Sequence, residues 1–278
     1  MKQYKKKGWQ ILMILAVLFA AACNKEVTMP EETAMGEVNF FFASTAVVDG
    51  ANSAGSKGYM VLIDSRDSTY QPVPDLYHSI YPYIWHPDKT LPAYPRAGTE
   101  WIKFMRLAAG PRQLYLVDTA HHIVDSAQAD LSPAHPTMVF WGDNRGQFRH
   151  IIAADPYTPE AGKIGIRIVN LSPFTGAVFV TLNKQVPAGL PASTTFMDHT
   201  GFIPVEFPAP ASVNVKVYAV SDAGQSMARA VSDMIPGHAY TLLITGYTDS
   251  DAGSYTDPYT GKTISINTNF AVTVLKNF

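Results

Sequence analysis

Asp249, Asp251 and Asp257 fall within Asp249-Ser250-Asp251-Ala252-Gly253-Ser254-Tyr255-Thr256-Asp257, with carboxylates at the first, third and ninth positions of a calcium-loop pattern. The other positions depart from that pattern. The fifth is Gly253, the sixth is Ser254 where a sharp turn needs glycine, and the twelfth is Thr260 instead of a bidentate Glu. The stretch is a weak calcium candidate, and a hairpin loop rich in turn formers explains the same residues. His121 and His122 are adjacent, so on a strand they point to opposite faces and are poorly placed to share a metal. His135 and His238 each follow a proline turn, where a ring that packs or bonds locally is the simpler reading than a ligand pair. Gly-x-Ser-x-Gly, a phosphate-cradling Gly-rich loop and His-Glu-x-x-His are all absent from the sequence. No catalytic residue, metal or cofactor is therefore expected. A hydrolase without a local signature stays as the minor alternative.

A different chemistry is offered between Asp64 and Gly98, a segment with no strand alternation. Tyr77, Tyr81, Tyr83, Trp85 and Tyr94 lie there among several prolines. Tyr and Trp rings stack on sugar faces or fill a partner's pocket, and proline holds such a loop extended at low entropic cost. These five residues are the candidate ligand-binding set, for a glycan or a protein partner. The alternative is that the rings cap the scaffold.

Cys23 is the only cysteine in 278 residues, which excludes an intramolecular disulfide framework and a zinc site built from several thiolates. Ahead of it, Lys2, Lys5, Lys6 and Lys7 form a basic region, and Ile11 to Phe19 an apolar run too short to span a bilayer. The end of this run, Leu18 to Ala22 and then Cys23, resembles the lipobox of bacterial lipoproteins, with Ala20 where that motif usually has Leu. The resemblance implies that residues 1–22 are a signal peptide and that Cys23 is acylated, with palmitate among its lipids, as a membrane anchor. An ordinary signal peptide followed by a chance cysteine is the alternative. Residues 23–35 are mostly polar and read as a tether of up to roughly 40 Å. Lys25-Glu26 is similar to the export signal of some outer-membrane lipoproteins, which favours the surface face over the periplasmic one.

The formal net charge is −2, but four of the 21 basic residues precede Cys23, so the mature chain carries about six more acids than bases. No basic cluster remains, which argues against a nucleic-acid partner.

The elements that must position all of these residues are strands. Val213-Asn214-Val215-Lys216-Val217 alternates as a half-buried strand does, and Ile164, Ile166 and Ile168 repeat the pattern. Tyr59 to Asp64, Leu114 to Asp118, Thr137 to Trp141 and Ala177 to Leu182 are continuous apolar runs of strand length. Turn formers punctuate these runs every 8 to 12 residues or so, the rhythm of an antiparallel sandwich.

A shift of 103 positions aligns Gly98 with Gly201, Phe104 with Phe207, Tyr115 with Tyr218, Asp130 with Asp233, Pro133 with Pro236 and His135 with His238. Gly36 and Gly162 start the two copies at a larger shift, which places an insertion at 65–97 of the first. The expected fold is all-β, with two tandem antiparallel β-sandwich domains at 36–157 and 158–278. The unit Gly162 to Pro173 and the segment Ile235 to Thr241 resemble a family of bacterial envelope domains of unassigned function. The resemblance implies an immunoglobulin-like or transthyretin-like sandwich, often in tandem on lipoproteins, and transfers no active residue. The expected role is non-catalytic binding or presentation at the envelope. A structural spacer or assembly subunit is the alternative.

Overall fold

Val213, Val215 and Val217 turn into the core of the protein while Asn214 and Lys216 stay half-exposed, so period-two alternation places this strand as expected. The computed structural model describes residues 34–43, 59–66, 105–118, 122–259 and 261–277. Among the described residues there are sixteen strands and no helix. The first seven are β1 (Met35–Phe42), β2 (Tyr59–Ile63), β3 (Met105–Ala108), β4 (Gly110–Asp118), β5 (Ile123–Leu131), β6 (Thr137–Asn144) and β7 (Gln147–Ala154). Then come β8 (Lys163–Asn170), β9 (Val178–Leu182), β10 (Ile203–Glu206), β11 (Ala211–Ala219), β12 (Asp222–Met234), β13 (Ala239–Thr245), β14 (Gly253–Thr256), β15 (Thr263–Ile266) and β16 (Ala271–Lys276). β1 begins at Met35, one residue inside the stretch read as tether.

The strands form sheets ordered β3-β1-β6-β7 and β2-β4-β5 in the first half, and β10-β8-β13-β16 and β12-β11-β9 in the second. The two four-stranded sheets share one plan: β1 runs parallel to β6 and β8 parallel to β13, while their other neighbours are antiparallel. The sheets stack face to face. Val38, Phe40, Val139 and Trp141 meet Leu114, Leu116 and Ala129 in one core, and Ile164, Ile166, Ile168 and Leu242 meet Val180, Val215 and Val217 in the other. Each Val, Leu, Ile or Phe among them, fully buried, contributes about 1.5–3 kcal/mol. Residues aligned by the shift occupy like places: Tyr115 lies in β4 and Tyr218 in β11, and Pro133 and Pro236 follow β5 and β12.

One strand departs from its expected pattern. β8 is not half-buried: Ile164, Ile166 and Ile168 face its own core, yet Gly165, Arg167 and Val169 between them are buried too. The reason is a third apolar layer. Met138, Phe140, Ile151 and Ala153 of the first half pack against Val169, Leu171, Leu243 and Leu275 of the second. The outer faces of the two four-stranded sheets therefore cover each other, and β6, β8 and β13 lose both faces to solvent exclusion.

Candidate functional site

Cys23, Tyr77, Tyr81, Tyr83, Trp85 and Tyr94 lie outside the described residues. The three candidate calcium ligands are placed, and local bonds occupy two of them. Asp251 is buried and accepts from the hydroxyls of Thr248 and Ser250. Asp257 sits at the turn between β14 and β15, where its Oδ1 accepts from the Tyr259 N–H at 2.8 Å. Asp249 is exposed. Among the described residues, no group of three or more His, Cys, Asp or Glu side chains is arranged to hold a metal. His122 stacks on Tyr259 at 4.3 Å between ring centroids. His135 and His238 sit in corresponding turns ahead of β6 and β13, and the His238 carbonyl accepts from Gly165 N–H.

The contact between the halves holds the strongest buried chemistry. Arg167 is fully buried and pairs with Asp155. Its Nε donates to Thr241 Oγ1 at 3.0 Å, Thr241 donates on to Asn277 Oδ1 at 2.8 Å, and Asn277 Nδ2 returns to Asp155 Oδ2 at 3.0 Å. The guanidinium also lies 4.5 Å from the Phe202 ring and 5.5 Å from Phe140. Burial pushes the Asp155 carboxyl above its ordinary range, and the facing guanidinium opposes that rise. Every polar atom of this ring of four residues has a partner, the condition under which a buried ion pair is tolerated. Its parts serve packing between sheets. A charged residue amid Ile164-Gly165-Ile166-Arg167-Ile168-Val169 was the available signal in the sequence, and alternation alone passes over it.

A second clamp uses Tyr247, also buried. Its hydroxyl donates to Asp143 Oδ2 at 2.8 Å and accepts from the Arg145 N–H at 2.8 Å. Burial, then the Asp143 charge, pushes the Tyr247 phenol far above its usual value, and Tyr255 rises for the same two reasons. Gly146 has φ of +77°, and a Cβ there would lie 2.4 Å from the Tyr255 ring, so this turn requires glycine on both counts.

Beside that clamp, in the second half, lies an open groove of about 630 Å³, within the range of small-ligand sites. Phe174 and Phe270 form its apolar floor, edge to face with centroids 6.5 Å apart. Asp222, Gln225, Ser226, Asp249, Ser250 and Asn269 supply much of its polar lining, and among the described residues no Lys, Arg or His lines it. The wall is fixed by backbone: Tyr247 N–H donates to Asn269 Oδ1 at 2.9 Å, and the Asn269 and Phe270 N–H groups both donate to the Tyr247 carbonyl. Asp249 takes no hydrogen bond or ion pair from any described residue.

No protein-family model matches the chain, and no curated protein matches it. Among solved structures, a Bacteroides ovatus protein provisionally assigned to cell adhesion aligns at 11% identity over 87% of this chain and 97% of its own. The TM-score is 0.17, too low to carry an argument about fold or role.

Proposed function

We propose that the chain is an exported envelope lipoprotein, anchored through Cys23 to the outer membrane on its surface face. In this reading residues 36–157 and 158–278 are tandem immunoglobulin-like β-sandwich domains that bind or present a glycan or a protein partner without catalysis. The observation that supports binding is the groove: an aromatic floor under a rim of amides, hydroxyls and carboxylates, open to solvent. The Tyr247 hydroxyl beside the groove is engaged in holding the halves together, and the groove's own lining offers rings, amides, hydroxyls and carboxylates for contact with a ligand. The Tyr77, Tyr81, Tyr83, Trp85 and Tyr94 segment is the second binding element in the proposal. A glycan array and a partner pull-down with the full chain in detergent micelles test this role. Capture of neither class of ligand refutes it. Radiolabelled palmitate incorporation that survives Cys23→Ser refutes the anchor, and full protection from protease on intact cells refutes surface display.

A spacer or assembly role has one observation in its favour. β12 spans Asp222–Met234 and among the described strands is bonded only to β11, with Val231 60% exposed. Such an edge is a template for strand addition. A chain that stays monomeric at high concentration by sedimentation counts against it.

A further inference from the structure

The groove between β12 and the connection that follows β13 has a lining that selects among ligand classes. Its two ring systems, Phe174 and Phe270, meet edge to face, leaving one flat apolar surface and one wall. Around them stand two carboxylates, Asp222 and Asp249, with the carboxamides of Gln225 and Asn269. Among the described residues, no cationic side chain lines the groove. An anionic ligand such as a phosphate or a uronic acid would meet two like charges and no compensating one. A purely apolar ligand would take the Asp249 carboxylate out of water with nothing to donate to it. A neutral sugar satisfies both halves of the surface, since its C–H face rests on a ring while its hydroxyls donate to carboxylates and exchange hydrogen bonds with amides.

The arrangement is held in place before any ligand arrives. Asn269 is tied by its side chain and its backbone to Tyr247, and Tyr247 is in turn locked to Asp143. Phe174 is held by its N–H to Ser172 Oγ at 3.3 Å, and that hydroxyl donates to the Gly246 carbonyl at 2.6 Å. Asp222 is also held, its Oδ1 accepting from Gly224 N–H at 3.0 Å, whereas Asp249 keeps its acceptor capacity free. Gly176 lies directly under the Phe174 ring, where a Cβ would come within 2.5 Å of it. Glycine there lets the ring lie where the floor needs it. Preorganisation of this kind lowers the entropic cost of binding.

We infer that this groove is a binding site for a short neutral saccharide, with Phe174 and Phe270 as the stacking surface and Asp249 as the principal hydroxyl acceptor. The inference rests on the reading of the chain as a binding protein and names its ligand class. The test uses the full chain in detergent micelles against an array of neutral oligosaccharides, uronic-acid oligosaccharides and Lys/Arg-rich peptides, followed by calorimetric titration of the best probe. Neutral oligosaccharides bind, and Asp249→Ala weakens binding about tenfold or more, the size expected when a charged hydrogen-bond acceptor is removed. Gly176→Ala, which displaces the Phe174 ring without touching a polar group, weakens it as well. Asp249 is exposed, so its variant keeps the parent's melting temperature. The triple variant Tyr81→Ala, Tyr83→Ala, Trp85→Ala leaves this site unaffected. Neutral saccharide binding that survives both groove variants but is lost in the triple variant overturns the inference and leaves the binding role standing. Preference for uronic acids or cationic peptides overturns it too. Failure to bind any glycan, together with an empty partner pull-down, overturns both.

Discussion

Arg167→Met tests whether the contact between the halves depends on charge pairing or on packing. The side chain is 1% exposed, its partner Asp155 is fully buried, and the pair shares Thr241 and Asn277 in a closed ring of hydrogen bonds. Methionine keeps most of the volume between Phe140 and Phe202 but leaves the Asp155 carboxylate with Asn277 Nδ2 as its remaining donor in the ring. Removing one member of a buried pair costs about 3–5 kcal/mol, a large share of the roughly 5–15 kcal/mol that keeps a domain folded. At about 2–4 °C per kcal/mol, the melting temperature falls by roughly 10 °C. Urea unfolding followed by tryptophan fluorescence and by circular dichroism gives the size of the loss. It also shows whether the two halves unfold in one transition or in two. Replacing both partners, Arg167→Met with Asp155→Leu, recovers part of the loss because no charge is left buried, and what remains is the cost of about 1–3 kcal/mol for Asn277 Nδ2, which loses its acceptor. The pH dependence carries a sign. Burial raises the Asp155 carboxyl above 3.8 in the folded chain, so the folded state binds the extra proton, and stability falls as pH rises from the unfolded value through the folded one. The deficit of Arg167→Met is therefore smaller at pH 4 than at pH 7. A loss below about 1 kcal/mol, or a double variant as unstable as the single, refutes the reasoning.

Alkaline unfolding tests the second clamp. Tyr247 and Tyr255 titrate near 10.0 when unfolded and well above it when folded, so their contribution is intact below about pH 10 and is lost above it, by about 1.4 kcal/mol per pH unit for each tyrosine. Tyr247→Phe reduces that slope by about half in denaturant melts between pH 10 and 11, and an unchanged slope counts against the burial of the phenol. In the first half, Asp125 Oδ2 accepts from Trp141 Nε1 at 3.0 Å and contacts His150 Nδ1 at 2.8 Å. Asp125→Ala leaves the indole N–H of a core residue without this acceptor and costs about 1–3 kcal/mol in chemical denaturation, whereas Asp125→Asn keeps an oxygen there and costs less.

Strand identity was legible because one face of β11 is apolar and the other is not, and because the turn residues around Pro133 and Pro236 recur at a fixed shift. Local periodicity reports the first layer of burial only. It cannot say that the second face of β8 is covered as well, since Gly165, Arg167 and Val169 are not an alternating apolar set, and their cover comes from elsewhere in the chain: Tyr157 at Gly165, Phe140 and Phe202 at Arg167, and the cluster of Phe140 and Ile151 at Val169. The groove was invisible for a similar reason. Phe174 and Phe270 are lone aromatic residues in separate loops, and only the β8–β13–β16 order of the sheet brings those loops to one end. Asp249 and Asp251 drew notice as a spacing pattern. The fold gives them opposite fates, one turned to solvent at the groove and the other buried on neighbouring hydroxyls.

The two halves share a strand plan, and one connection in which they differ generates both the clamp and the groove. β6 passes to β7 through the tight turn at Arg145 and Gly146, whose φ values are +51° and +77°. The corresponding passage from β13 to β16 runs from Gly246 to Phe270 and carries the β14–β15 hairpin. Tyr247, Tyr255 and Tyr259 all lie on that longer connection, and each reaches back to the first half, at Asp143, Gly146 and the Ile123 carbonyl respectively. The same connection supplies Thr248, Asp249, Ser250, Asn269 and Phe270 to the groove. Tyr247 is shared: its backbone holds Asn269 at the groove while its hydroxyl is held by Asp143 and Arg145 of the first half. Tyr247→Phe removes the hydroxyl contacts to the first half and leaves the backbone bonds to Asn269 in place, so it loosens the clamp without unbuilding the groove wall.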